Sequence, residues 1–167
     1  MKAGVDFILN ETFSQIKEIE ITSQICTKKG IPYIISLYCD ENLNLISGEK
    51  VLEAIEVIKK YNPLAISFNC VKYSTMKKIL KEIDLKDLLW GLYINCGDEK
   101  MQENYVAMGG KVEMNMLDIV VSPEDLVKFT NEIIQTHKLR PCFVGTCCCS
   151  NHEHTEKLKA NFDKKLN

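Results

Sequence analysis

Five short apolar runs, each followed by a segment of helical periodicity, divide this chain so regularly that few architectures can accommodate it. The runs cover residues 5–10, 33–38, 64–69, 88–94 and 142–145. The second, Tyr33-Ile34-Ile35-Ser36-Leu37-Tyr38, is nearly continuous in its apolarity, as strands covered on both faces are. Ser14 predicts a helix over 14–28, with Ile16, Ile19 and Ile25 on one side and Gly30 and Pro32 to stop it. Val51, Leu52, Ile55 and Ile58 mark the next helix, and a third is expected over 74–83. A fourth, over 122–137, opens with Ser122 as N-cap and Pro123 in the first turn, and a fifth runs over 152–165. The stretch 98–121, with Gly109-Gly110 and three methionines, Met108, Met114 and Met116, is expected to be an irregular loop covering the site or a sheet edge.

Strands that alternate with helices over short connections are parallel and joined by right-handed crossovers. Five units in 167 residues average about 33 residues each, the unit size of a (β/α)8 barrel of roughly 250 residues. The expected fold is therefore α/β and a single domain over residues 1–167. The periodicity leaves two forms open, an open five-stranded sheet or the larger part of a barrel.

Charge and composition narrow the function. A net charge of −2 and a pI near 6.0 offer no electrostatic basis for a nucleic-acid or anionic-membrane partner. No apolar run reaches the ~18 residues of a membrane span, and the first residues lack the pattern of a signal peptide. A cytoplasmic location is expected. The eight cysteines then read as reduced thiols or metal ligands rather than a disulfide framework.

The chemistry gathers where strands end. Glu11 follows the first run, Asn69-Cys70 the third, Asn95-Cys96 the fourth and Cys147-Cys148-Cys149 the fifth. Ser150 with Glu153 three residues on reads as a capping box, which puts the three cysteines at a strand-to-helix corner, on the face where parallel α/β folds place their ligands. One cysteine from one strand end and two from another can offer three thiolates to Zn2+ and leave the fourth tetrahedral position to a substrate. A fourth cysteine ligand would close that position, so Cys149 is read as a spare thiol. His152 and His154, two residues apart at a helix start, point to different faces and do not form a metal pair.

The same residues resemble the homocysteine S-methyltransferase family, which includes betaine-homocysteine methyltransferase and the homocysteine domain of cobalamin-dependent methionine synthase. That family reads approximately G-V-D-hydrophobic-E-T, N-C, N-S-G and G-G-C-C-G-T-x-P-E-H at successive strand ends. Here stand Gly4-Val5-Asp6 with Glu11-Thr12, Asn69-Cys70, Asn95-Cys96-Gly97, and Gly145 to Ser150 with Glu153-His154, in the same order along essentially the whole chain. Thr146, Cys149 and His152 depart from the pattern where the family has glycine, glycine and proline. Cys96 stands in place of a serine, expected as a small polar residue at the site rim.

The resemblance implies a partial (β/α)8 barrel equivalent to the fourth to eighth strands, with zinc held by Cys70, Cys147 and Cys148. It implies homocysteine and a methyl donor as partners, methionine as product, and Glu11, Asn69 and Asn95 as substrate-binding residues, Glu11 meeting the amino group. The family's D-G-x-x-G segment and first three strands have no counterpart in this sequence, nor does the aspartate expected to help hold homocysteine. A complementing chain or a homo-oligomer covering the sheet edges is therefore expected. The alternative is a zinc- or thiol-binding remnant, or a fragment, that no longer transfers methyl groups.

Overall fold

The computed structural model describes residues 4–97, 121–136 and 140–166. Its elements alternate as β1 (Ile8–Phe13), α1 (Ile16–Lys29), β2 (Tyr33–Leu37), α2 (Val51–Lys59), β3 (Ala65–Val71) and α3 (Tyr73–Glu82), then β4 (Trp90–Ile94), α4 (Pro123–Thr136), β5 (Phe143–Thr146) and α5 (His152–Leu166). All four strand pairings are parallel, and the strands lie in the order β1-β2-β3-β4-β5. Spatial order equal to chain order means that every crossover steps the same way. Right-handed connections then lay their helices on one face, as in a barrel wall and unlike a doubly wound sheet.

Burial agrees. Ile35 and Leu37, Ile66 and Phe68, Trp90 and Leu92 alternate along their strands and pack in one core with Ile19, Val51, Ile55, Ile58, Met76, Ile79, Leu126 and Ile133 from the helices. The opposite face carries small and polar residues in register: Ser36 beside Ser67, Ser67 beside Gly91, Asn69 beside Tyr93, and Tyr93 beside Gly145. This helix-free face, which would be the interior of any barrel the sheet helps to close, is thus assembled from what the helix-facing core leaves over.

Local chemistry explains most element ends. Gly30 takes the left-handed conformation (φ 61°) that ends α1, its N–H bonded to Thr27 O and that of Ile31 to Cys26 O. At α4, Ser122 caps as expected, accepting from the Asp125 N–H at 3.1 Å. Two expected caps are corrected. The N–H of Ile16 at the start of α1 is met by Glu49 Oε2 at 2.8 Å, not by Ser14, and the Glu49 carboxylate is itself anchored by Ser47 Oγ at 2.6 Å. At α5 it is Asn151 Oδ1, not Ser150, that accepts from the N–H groups of Glu153 and His154.

The first strand lies later than expected, at Ile8–Phe13 rather than 5–10, because pairing with β2 fixes it: Ile8 N donates to Pro32 O at 2.9 Å, and Ile8 stands opposite Tyr33. Glu11 and Thr12 consequently sit inside the end of β1. The expected loop lies, up to residue 120, outside the described residues. Among the described residues no helix is long and apolar enough to cross a membrane.

Candidate metal centre

Strict alternation along β3 would send Asn69 toward the interior and Cys70 outward into the helix layer. The register prevents this. Asn69 pairs with Tyr93 and Val71 with Ile94, so two steps on β3 match one on β4 and Cys70 is the extra residue of a bulge. Cys70 adopts φ 58°, a left-handed conformation that costs a residue with a Cβ about 1 kcal/mol or more. The distortion carries its sulfur toward β5.

There it meets the cysteines that follow β5. Cys70 Sγ lies 2.9 Å from Cys147 Sγ and 3.1 Å from Cys148 Sγ, and all three sulfurs are within 4.8 Å of one another. The turn that presents them is held at two carbonyls: Cys147 O accepts from Ser150 Oγ at 2.5 Å, and Cys148 O from the Cys96 N–H at 2.9 Å. Cys149, at φ 60°, lies outside this group, its sulfur seated over Gly97. The spacings are shorter than the roughly 3.8 Å between sulfurs on a tetrahedral zinc with 2.3 Å bonds. An ion would thus be accommodated by opening the group by under an ångström. All three thiols are only partly buried, which leaves one side of the cluster accessible.

The electrostatics suit a cation. Hydrogen bonds from Cys147 and Cys70 pull the Cys148 thiol down to about 3. The same bond to Cys148 pushes Cys147 up to about 11, and bonds to Cys147 and Cys148, with burial, push Cys70 up strongly. Three sulfurs this close oppose one another's ionisation, the thiolate of one being held by hydrogen bonds from the other two. A divalent metal held by Cys70, Cys147 and Cys148 would remove the mutual repulsion and would deprotonate the coordinating thiols.

The other expected site residues take distinct places. Asn95 donates Nδ2 toward Cys70 Sγ at 3.8 Å while its Oδ1 accepts from the Gly97 N–H at 2.8 Å, so it braces a cysteine of the cluster. Asn69 is 3% exposed, and both ends of its amide are engaged by Thr12: Oδ1 accepts from the Thr12 N–H at 2.9 Å and Nδ2 donates to Thr12 Oγ1 at 2.8 Å. Glu11, exposed at the end of β1, casts its field on Tyr93. Cys96 is not at the rim: it is fully buried, its thiol pushed up to about 12 by burial and by the neighbouring cysteines.

Tyr93 escaped the sequence reading, and so did the role of His154. Tyr93 projects from the interior face of β4, where burial and then the charges of Glu11, Cys142 and Cys147 raise its hydroxyl pKa, so it reports Glu11 and the cysteine cluster at one place. His154, fully buried, bonds Asn151 Oδ1 at 2.8 Å through Nδ1 and Val121 O at 2.9 Å through Nε2. It pins α5 beneath the cysteine turn. The strand-end position of Tyr93 was a usable signal; the Glu153-His154 pair of the family pattern already marked His154, but not its structural role.

Comparison with known proteins follows the same lines. In sequence, a uracil phosphoribosyltransferase from Ureaplasma urealyticum serovar 10 is 35% identical over 71 residues, 39% of this chain and 31% of that protein. A local match of that extent carries no assignment. In structure, the apo form of the homocysteine methyltransferase MmuM from Escherichia coli superimposes with a TM-score of 0.65 at 17% identity, covering 96% of this chain and 51% of the other, which shows a shared fold. The chain thus spans about half the length of that enzyme. The characteristic pattern of the family described as Homocysteine S-methyltransferase matches residues 1–162. With nearly its whole length matched and three cysteines drawn together at the strand ends, the chain belongs to the homocysteine S-methyltransferase family.

Proposed function

We propose that this chain carries the zinc- and homocysteine-binding part of a homocysteine S-methyltransferase, in which Cys70, Cys147 and Cys148 hold the metal and homocysteine becomes methionine. The observation that carries the reading is the convergence of these three sulfurs across β3 and β5, with one side of the group accessible. Zinc, when bound, would keep as thiolate a substrate thiol that is only about 3% ionised at pH 7 when free.

This chain's residues supply the rest. Three cysteine thiolates give the centre a net negative charge, which suits a sulfur that must donate electrons. Asn95 orients Cys70 through its amide. Glu11 meets the ammonium group of homocysteine. Tyr93, which feels the charges of both Glu11 and Cys147, offers a hydroxyl donor near them. In the transfer, a carbon–sulfur bond forms between homocysteine and the methyl group. The methyl donor keeps the electron pair of the bond it breaks, and the thiol proton leaves to solvent.

A complementing partner belongs to this proposal. Both outer strands, β1 and β5, have one unpaired edge among the described residues. Val5 and Phe7 beside β1 are 50% and 46% exposed. A largely apolar groove of about 500 Å³ runs along β5, lined by Phe143, Val144, Leu158 and Phe162. Sheet edges of this kind are normally paired or covered. The expected occupant is a chain that supplies the remaining barrel strands.

The test is zinc per chain by elemental analysis on the purified protein and on Cys70→Ser, with mass in solution recorded on the same sample, followed by homocysteine titration. About one zinc per chain, lost in the variant, together with homocysteine binding, supports the reading. A folded protein that binds neither refutes it. Metal binding without homocysteine binding, alone or with co-purifying chains, favours the non-catalytic remnant, and an active lone monomer eliminates the partner.

A further inference from the structure

The strained residue in β3 has a counterpart in β1. Asn10 pairs with Ile35 and Phe13 with Leu37, so three steps on β1 match two on β2, and Thr12 in that bulge takes φ 61°. Two strands separated by a third thus carry left-handed, non-glycine residues at their C-terminal ends, Thr12 next to Glu11 and Cys70 next to Asn69. The Asn69 side chain joins them. Its amide spans 57 positions of sequence to hold both the N–H and the hydroxyl of Thr12. A backbone conformation unfavourable for threonine persists only where the surroundings over-determine it, and here one buried side chain does so at two points.

From this geometry we infer that Asn69 is a positioning residue rather than a substrate contact: by clasping Thr12 it fixes the Glu11 carboxylate relative to Cys70, its own chain neighbour. The distance between the group that meets the substrate's amine and the group that holds the metal is then set by one linkage. The clasp selects thiols that carry an amino group at the spacing of homocysteine. This inference rests on the proposed homocysteine reading and adds a determinant of specificity to it.

The test compares the parent with Thr12→Val, Asn69→Ala and Asn69→Asp, each loaded with Co2+, whose sulfur-to-metal charge-transfer bands report the thiolates. Two thiols are titrated, homocysteine and 4-mercaptobutyrate, which has the same length but no amine. The parent is expected to prefer homocysteine. Thr12→Val, which keeps the side-chain shape and removes the hydroxyl, should retain the cobalt bands and lose about tenfold in homocysteine affinity, with 4-mercaptobutyrate unchanged. Asn69→Asp, which still accepts from the Thr12 N–H and lets the hydroxyl donate where it had accepted, should recover most of the preference lost in Asn69→Ala. A merely structural role would move both thiols together.

Hydrogen exchange at the Thr12 amide reads the clasp without substrate and should quicken at least about tenfold in Asn69→Ala. Unchanged exchange at Thr12, or an undiminished preference for homocysteine in Thr12→Val, overturns the inference. A parent that binds metal but neither thiol overturns the homocysteine reading itself, and with it any part for the clasp in selecting a substrate.

Discussion

Tyr93 lies across Gly145. A Cβ on that glycine would fall 2.2 Å from Tyr93 Cδ1, and Phe143 covers Gly91 in the same way, also at 2.2 Å. The two rings, 5.6 Å apart and tilted by 44°, lock β4 to β5 on the interior face. Gly145→Ala must therefore displace Tyr93 or the strand, at a cost of about 1–3 kcal/mol. Because Cys147 is only two residues further on, metal affinity should fall as well. Urea denaturation and zinc content check both, and Tyr93→Ala in the same chain should restore much of the loss, the non-additivity expected of residues in contact.

Tyr93 also makes a pH prediction. Burial first, then the negative charge of Glu11, raises its pKa above the usual value near 10. A group whose folded pKa is raised contributes stability that is fully present below the unfolded pKa and lost as pH climbs through the folded one. Stability should decline above about pH 10, and Tyr93→Phe should flatten that decline. The same substitution should weaken homocysteine binding near neutrality while leaving the ring packing intact. Denaturation midpoints between pH 8 and 11 provide the measurement.

Much of this fold could be read from the chain, because a parallel sheet with helices on one face writes itself as alternating apolar runs and amphipathic stripes. The cysteines were legible for a related reason: parallel strands bring their C-terminal ends to one side, so Cys70 and Cys147 could be placed together 77 positions apart. The bulges at Thr12 and Cys70 were not legible. A single extra residue in a strand of six or seven leaves no periodic signature and shows only when the partner's register is known. Asn69 illustrates the consequence. Its place beside Cys70 marked it for substrate, but its hydrogen bonds depend on a kink in another strand. The caps at Glu49 and Asn151 were misread for a simpler reason, since Ser14 and Ser150 offered equally good local chemistry.

His154 should be among the costliest positions outside the cysteine cluster. Fully buried, it meets Val121 O through Nε2 and the Asn151 N–H through Nδ1. His154→Leu fills similar space but leaves the Val121 carbonyl and the Asn151 backbone N–H, which donates to His154 Nδ1 at 3.1 Å, without their partner, for a loss of about 2–4 kcal/mol. The damage should spread to the cysteine turn, because Asn151 also caps α5. Chemical denaturation reads the first effect and the zinc affinity of the folded variant reads the second.

Cys149 separates ligand from neighbour. It follows Cys148 directly, yet its left-handed backbone directs its sulfur over Gly97 and away from the group formed by Cys70, Cys147 and Cys148. A thiol that does not coordinate forms no bond to the metal. Cys149→Ala should keep about one zinc per chain and change stability by no more than about 1 kcal/mol. Cys147→Ala and Cys148→Ala remove two of the three proposed ligands and should lower zinc affinity by more than the roughly 10- to 100-fold typical of an outer-shell change. Alkylation resolves the same distinction without mutation. With zinc bound, exposed Cys142 should react first and Cys70, Cys147 and Cys148 should be protected, becoming reactive only after chelation, whereas buried Cys26, Cys39 and Cys96 should stay slow throughout. Loss of zinc in Cys149→Ala would mean that the turn rearranges to use a fourth sulfur, closing the position that a substrate thiol needs.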